Sequence, residues 1–554
     1  MTSSDAEPTA PPADPWPQRY AAHLLVSGEE MAALERQLFA SGLPVEALME
    51  KAALSLSRRL LADHGPLLER HGAVVLVGPG HNGGDGLVVA RELHLAGLTV
   101  TVWSPFERRK PLTASHLRHA DWLGIPRLQA PPDPAGPGLW IDALLGIGQR
   151  RAPGEALEEL FRARTRGRPG RLVAVDVPTG LCADSGRCLG SAAAEASHTY
   201  TLGLVKTGLV QDSALRWVGE LRRIDLALPR PLLADLPPAQ PLGLTPADLA
   251  AAPWPALDPA AAKYGRGRLL VVAGSERYRG AAALALAGAS AAGIGSLRAA
   301  LPTCLAEGLW SVQPYVVVSR ALACDAQGQL ALGQLGDSEL ERLDAVLVGP
   351  GLGATVKPQG GGDGCCEALA WRRLQDFAGL LVLDADGLNR LAAQGGGDWL
   401  RQRSGPTWIT PHRGEFDRLF PQWREAPALE AATAAARSSG AVVLLKGARS
   451  VVAGGDGRRW QLLSAAPAAA RAGLGDVLAG YGAAIGAMAV AAGEGASADL
   501  LAAAALAHAG AGLRLQRRGA GSASPQAVAL SLARGDTPGE ATGDTPGETT
   551  GGRQ

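Results

Sequence analysis

The stretch AVVLVGPGHNGGDGLVVARELHLA, residues 73–96, joins an apolar run to a glycine-rich turn and then to a helix-compatible segment. The continuous apolar run Ala73 to Val77 predicts a strand buried on both faces, and such strands belong to sheets covered by helices on each side. Gly78, Gly80 and Gly83 match G-x-G-x-x-G, the spacing of dinucleotide-binding loops. A pyrophosphate, however, needs bare amides at the helix N-terminus, and this turn carries Asn82 and Asp85, whose carboxylate repels an anion. The loop Gly78–Gly86, followed by a helix over Leu87–Ala96, therefore points to orientation of a ligand or, through its oxygens, to a cation.

The same alternation extends both ways along the chain. Strands are predicted at 99–103, 139–141 and 172–175, with a helix over 155–164. After the five prolines of LPRPLLADLPPAQP, residues 228–241, which break helix and central strand alike, strands return at 268–273, 345–348, 380–383, 407–409 and 441–445. Two α/β domains follow, residues 21–228 and 243–534, joined by a linker over 229–242. The Pro/Ala-rich segment 1–20 and the tail 535–554, which repeats GDTPGEAT as GDTPGETT, are expected to be disordered.

At about 150 residues per domain, 554 residues suit two large domains with tails. Acidic and basic residues balance at 53 each, so no global field draws nucleic acid or an anionic membrane. Only six lysines stand against 47 arginines, a coding bias that makes each retained lysine informative. Cys182, Cys188, Cys304, Cys324, Cys365 and Cys366 show no C-x-x-C spacing, which fits a reduced, cytoplasmic setting. The N-terminus has no secretory pattern. The uncharged runs 280–297 and 477–493 read as buried helices of a soluble protein, and a homo-oligomer is expected.

In open α/β sheets ligands gather beyond the carboxyl ends of the strands, so polar residues there carry the functional reading. In the first half, Asp142 follows LWI and precedes Gly146-Ile147-Gly148, while Asp176 follows LVAV and leads into Val177-Pro178-Thr179-Gly180. In the second half the strand ends carry GPGLG (349–353), DADGLN (384–389), TPHRGE (410–415) and KGARS (446–450). Farther on, Ala472-Gly473-Leu474-Gly475-Asp476 opens a helix. Amides there can form an anion hole for a transferring phosphoryl group, with Asp476 in the same turn to take a proton from an attacking hydroxyl.

Gly78 to Gly86, Asp142 to Gly148, Asp176 to Gly180 and Leu48-Met49-Glu50-Lys51-Ala52 resemble the epimerase domain of the NAD(P)H-hydrate repair family. The resemblance implies a Rossmann-like three-layer sandwich with K+ held by Asn82, Asp142 and Thr179. Substrate would be bound by His81, Asn82, Gly83, Gly84, Asp85, Gly146, Ile147, Gly148, Gln149, Arg150, Arg151, Ala152 and Asp176. Asp142 would serve as proton shuttle. His81 and Ile147 stand where Asn and Thr are usual.

The second half is similar to the ADP-dependent NAD(P)H-hydrate dehydratase, a ribokinase-like three-layer sandwich. Matching segments run from Lys263-Tyr264-Gly265-Arg266-Gly267 and Ala273-Gly274-Ser275, through the motifs above, to GLGD. The resemblance places ADP, with Mg2+, on Lys446, Gly447, Ala448, Arg449, Ser450 and Gly475. It places the hydrate on Ala281, Gly353, His412 and Asp476, with Asp476 the base. Leu474, Arg413 and Gly387 depart from the pattern, and the insertion Thr355–Cys366 reads as a surface loop. Together the halves imply repair of NADHX and NADPHX: epimerisation of the R and S hydrates, then ADP-driven dehydration of S. The alternative is a vitamin or sugar kinase fused to a non-catalytic Rossmann-like binding domain.

Overall fold

The computed structural model describes residues 16–353, 363–519 and 521–535. They form two compact units, one holding the chain to Gly243 with segments 426–430 and 458–463, the other holding the remainder.

In the first unit seven parallel strands run β1 (Ala73–Val77), β2 (Val100–Trp103), β3 (Arg127–Leu128), β4 (Leu139–Ala143), β5 (Leu172–Val175), β6 (His198–Leu202) and β7 (Glu220–Ile224). Their order across the sheet is β3-β2-β1-β4-β5-β6-β7. The chain steps outward from β1 to β3 and then returns to the other side of β1, so the strand order reverses between β1 and β4. Crevices for ligands open at such reversals. Helices α1 (Gly28–Ala40), α2 (Val45–His71), α3 (His81–Leu95) and α4 (Glu155–Gly167) accompany the sheet. Ser27 caps α1 reciprocally with Glu30: its Oγ accepts from the Glu30 amide at 3.1 Å, and its own amide donates to Glu30 Oε2 at 2.7 Å.

Several expectations are corrected here. The helix after β1 begins at His81, not Leu87, so Asn82 lies in its first turn and Asp85 just beyond it. Packing explains the early start: a Cβ on Gly84 would lie 2.6 Å from Met49 Cε of α2, and one on Gly86 2.5 Å from Ala143 Cβ of β4. The stretch 229–242 is no open linker. It carries α5 (Arg230–Ala234), opened by proline in its first turn, buries Leu233 and Leu236, and its Gln240 side chain donates to Leu25 O at 2.6 Å. Trp16, expected in a disordered tail, is buried.

In the second unit eight strands lie in the order β15-β14-β13-β12-β11-β8-β9-β10. They are β8 (Arg268–Val272), β9 (Ser296–Pro302), β10 (Val317–Leu322), β11 (Ala345–Val348), β12 (Leu380–Leu383), β13 (Thr407–Ile409), β14 (Val442–Leu445) and β15 (Val451–Ala453). All pair in parallel except β14 with β15. Here the order reverses between β8 and β11. The helices that matter for the site are α6 (Arg279–Ala291), α7 (Asp363–Asp376), α8 (Ala385–Ala393), α9 (Arg413–Leu419), α10 (Leu474–Ala491) and α11 (Ala498–Arg517). The run read as one helix over 280–297 instead ends at Ala291, and Leu297 belongs to β9. Helix α10 is long and apolar enough to cross a membrane, yet 78% of it is buried inside the protein, as in a core helix. Glycines let it approach α6: a Cβ on Gly480 would stand 1.9 Å from Ala285 O. Of the insertion read as a surface loop, 355–362 lie outside the described residues and α7 begins at Asp363. Cys182, Cys188, Cys304 and Cys324 are free.

Candidate functional site

A cleft of about 1090 Å³ opens at the reversal between β1 and β4. His81, Asn82 and Asp85 reach it from α3, Gly146 to Pro153 from the segment after β4, and Asp176 from the end of β5. Ala32 and Glu35 of α1 add a wall that the sequence reading missed. Asp176 adopts φ 65°, a region few side-chain-bearing residues occupy and one that concentrates at functional sites. Its Oδ1 accepts from the Leu202 amide at 3.1 Å and from Lys206 Nζ at 2.5 Å. Lys206, only 1% exposed, also donates to Thr201 Oγ1 and Leu202 O.

Behind the cleft lies a second constellation. Asp142 Oδ1 accepts from Thr179 Oγ1 at 2.8 Å and from the Leu144 amide at 3.2 Å, and Oδ2 accepts from the Thr179 amide at 2.8 Å. Burial lifts the Asp142 carboxyl to about 6, against the pull of these hydrogen bonds. The expected role of Asp142 as proton shuttle is corrected. Strand β4 runs on through Ala143, and Asp142, in register with Leu76 on one side and Ala174 on the other, sits within the sheet, wholly buried and outside the cleft lining. A proton carrier must come within hydrogen-bond reach of its substrate. A cation would fit better: no cationic side chain is bonded to Asp142 among the described residues, and Asn82, whose Nδ2 is buried without a partner, would present Oδ1 to an ion with its amide turned over. Gly83 and Gly84, expected to touch substrate, are buried in α3 and do not line the cleft; a Cβ on Gly83 would lie 2.1 Å from Gly78 O. Gln149 faces the cleft and also locks its floor, donating to Pro178 O at 3.1 Å and accepting from the Gly180 amide at 2.7 Å.

In the second unit the strand-end motifs converge. Lys446 Nζ meets Asp384 Oδ1 at 2.6 Å, and Thr410 Oγ1 donates to the same oxygen at 2.7 Å. Burial opposes the lysine's charge, but Asp384 and Glu415 outweigh it and hold its pKa above the usual range. Gly473, left-handed at φ 91°, opens α10 and places Gly475 so that a Cβ would come within 3.3 Å of Lys446 Nζ. Burial, then repulsion from Asp384, lifts Asp476 to about 7, with Lys446 pulling the other way. Gly447 and Ala448 are exposed beside this turn, Ser450 is half-buried and Arg449 is buried. His412 caps α9: its Nδ1 accepts from the Gly414 amide at 2.9 Å, leaving Nε2 to donate to Glu415 Oε1 at 3.2 Å. On the other side Gly353 donates its amide to Asp386 Oδ2 at 2.9 Å, and a Cβ on Gly351 would meet Ala281 Cβ at 2.7 Å. Lys446, His412, Gly475 and Asp476 thus come together, Gly353 joins them through Asp386, and Ala281 packs against the same glycine loop.

Arg390, missed in the sequence, pins this loop from below through Gly353 O, Leu352 O, Leu330 O and Glu367 Oε1. His508 of α11 is likewise new; burial lowers it to about 4, so it is neutral at physiological pH. Lys51 and Lys263, singled out with Lys446 as retained lysines, are exposed, and Lys263 stacks on Tyr264 at 4.9 Å. Among the described residues no cluster of three His, Cys, Asp or Glu could hold a metal ion.

Residues 45–208 match the family described as YjeF-related protein N-terminus, and residues 269–532 match NAD(P)H-hydrate dehydratase. The bifunctional NAD(P)H-hydrate repair enzyme Nnr of Gloeobacter violaceus is 44% identical over 82% of this chain and 87% of its own length. That of Synechocystis is 40% identical over 82% and 84%. Among solved structures, the ADP/ATP-dependent NAD(P)H-hydrate dehydratase of Bacillus subtilis, co-crystallized with ATP/Mg2+, aligns with 52% of this chain and 95% of its own at 25% identity and a TM-score of 0.41.

Proposed function

The chain belongs to the family of bifunctional NAD(P)H-hydrate repair enzymes, and we propose that its two clefts divide the repair between them. The first unit epimerises the R and S hydrates of NADH and NADPH. The second dehydrates the S form with ADP, releasing AMP and phosphate. The observation that carries the second assignment is Asp476, raised to about 7 in the first turn of α10 and next to the Lys446–Asp384 pair. A carboxyl with that pKa exchanges protons readily at neutral pH.

In the dehydratase cleft, Asp476 takes the proton of the hydrate hydroxyl as its oxygen attacks the terminal phosphorus of ADP. The α10 amides and Lys446 hold the charge that develops on the transferring phosphoryl group. AMP leaves, the carbon–oxygen bond to phosphate then breaks, and loss of a proton from the neighbouring ring carbon restores the double bond. Phosphorylation turns a poor leaving group, hydroxide, into a good one. Lys446, Gly447, Ala448, Arg449, Ser450 and Gly475 bind the nucleotide, while Ala281, Gly353 and His412 contact the hydrate. With no acidic triad among the described residues, Mg2+ fits as an ion carried mainly by the nucleotide phosphates and water.

In the epimerase cleft, Asn82, Asp142 and Thr179 would hold K+, which supplies fixed positive charge beneath the substrate. Asp176, ion-paired with Lys206, is the carboxylate that faces the substrate. We place this chemistry in the cytoplasm.

Mixed R and S hydrates supplied with ADP test the whole reading. Recovery of NADH absorbance should run to completion faster than spontaneous epimerisation allows, with one phosphate released per NADH. Recovery that stalls at the S fraction would remove the epimerase, and recovery without nucleotide would remove the kinase-like mechanism.

A further inference from the structure

Four carboxyl groups line the epimerase cleft, Glu35, Asp85, Glu107 and Asp176, and the expected site residues include only Asp85 and Asp176. Of the other two, Glu107 is exposed to solvent, whereas Glu35 is half-buried and comes from α1, an element that precedes the sheet. Neither Glu35 nor Asp85 has a hydrogen-bond partner among the described residues, although Asp85 is only 8% exposed. Asp85 is a buried carboxyl without a protein partner and Glu35 a half-buried one, and both line the cleft, where a ligand can supply the partners. The groups bearing on Glu35 are Lys206, Asp176, Lys110 and Arg36, and Glu35 in turn bears on Asp85. Burial raises Glu35 and Asp85 above the ordinary carboxyl range, with Asp176 reinforcing the shift in both. The cleft therefore holds two carboxyls whose burial favours the protonated form, Glu35 and Asp85, beside Asp176, which Lys206 contacts at 2.5 Å.

We propose that Glu35 is a second acid–base catalyst of epimerisation, protonating the departing hydroxyl of the hydrate while Asp176 receives the proton of the water that returns. This rests on the epimerase reading above. Glu35 gives its proton to the hydroxyl, the carbon–oxygen bond breaks, and water departs as the ring nitrogen's lone pair forms a carbon–nitrogen double bond. Water then adds to the other face of that carbon, the electron pair returns to nitrogen, and the surplus proton passes to Asp176. No electrons enter or leave, and solvent resets the two carboxyls. In the opposite direction the two groups exchange roles.

The experiment follows interconversion of pure R and S hydrates by chromatography in the full chain carrying Glu35→Gln, Glu35→Asp or Asp85→Asn. Glu35→Gln should lose about 10²- to 10³-fold in epimerisation, the usual weight of a general acid. Glu35→Asp should recover at least tenfold over Glu35→Gln. The wild-type rate should fall with rising pH as Glu35 ionises, and Glu35→Gln should lack that limb. The proposal is overturned if Glu35→Gln stays within threefold of wild type, if Glu35→Asp is as inactive as Glu35→Gln, or if Asp85→Asn alone reproduces the loss. A wild-type chain that fails to interconvert the hydrates would overturn the epimerase reading itself.

Discussion

The two sites occupy similar places in their sheets and solve opposite electrostatic problems. Each lies beyond the carboxyl ends of parallel strands, and in each a lysine pairs with an aspartate there: Lys206, fully buried, with Asp176, and Lys446, 19% exposed, with Asp384. Around the first pair the fold gathers two carboxyls, Glu35 and Asp85, that burial shifts toward the protonated form. Around the second it gathers the glycine-rich start of α10 and the exposed loop Gly447–Ala448, whose amides can receive phosphate. A common lysine–aspartate pair thus becomes a proton-handling site or a phosphoryl-handling site according to whether carboxyls or backbone amides surround it.

The sharpest way to break this comparison is Asp476→Asn. We expect dehydration of the S hydrate to fall by about 10³-fold, within the range for a lost general base, with epimerisation untouched. NADH absorbance with ADP measures the first and chromatography of the hydrates the second. The pH dependence carries the sign. Asp476 acts as a base only when ionised, so below about 7 the dehydration kcat/KM should climb roughly tenfold per pH unit and then level off. A profile that stays flat down to pH 5 would remove Asp476 from that role.

Next in size is the pair that the clefts share. Lys206→Met leaves Asp176 buried without its cation and should lower the unfolding free energy of the first unit by about 3–5 kcal/mol, read from urea titration. Lys446→Met, whose side chain is less deeply enclosed at 19% exposure, should act chiefly as a raised KM for ADP. If the two variants exchange these signatures, the division into a proton site and a phosphoryl site is wrong.

The sequence revealed the strands that are apolar throughout, because burial on both faces leaves no polar position to obscure them. AVVLV, LVAV, AVLV and LLVL are strands to the residue. It hid HTYTL, ELRRI and VVSRAL, whose polar positions carry no continuous apolar signal. It also hid the true start of α3, since the turn HNGGDG has low helix propensity and is held helical by close packing against α2 and β4. Asp142 was legible as important but not as buried, because one more residue of strand separates a position inside the sheet from one beyond its edge. Lys206 offered a single clue, its survival in a chain with so few lysines, and Glu35 offered none: an isolated glutamate on an amphipathic helix looks like solvent-facing charge.

A smaller effect sharpens the floor of the first cleft. At a hundredfold excess over its Kd, K+ should raise the unfolding free energy of the first unit by about 2.7 kcal/mol, the gain for any ligand that binds only the folded state. Asp142→Asn should abolish that gain while leaving the response of the second unit to ADP intact. Equal stabilisation by Na+ and K+ in both proteins would reduce the effect to ionic strength.

The smallest effect tests whether Glu35 depends on how its helix begins. Ser27→Ala removes the side chain that accepts the Glu30 amide, a loss of about 1 kcal/mol for such a cap. Glu30 keeps its other bonds, accepting from the Ser27 amide and from Gln240 Nε2, so α1 should fray at one end and not detach. Glu35 lies more than a turn beyond the cap, where the rest of the helix still fixes it through buried Met31 and Leu34. Ser27→Ala should therefore melt slightly earlier and epimerise within about twofold of wild type, whereas a tenfold loss of epimerisation would mean that the cap, and not the packed face of α1, sets the position of Glu35.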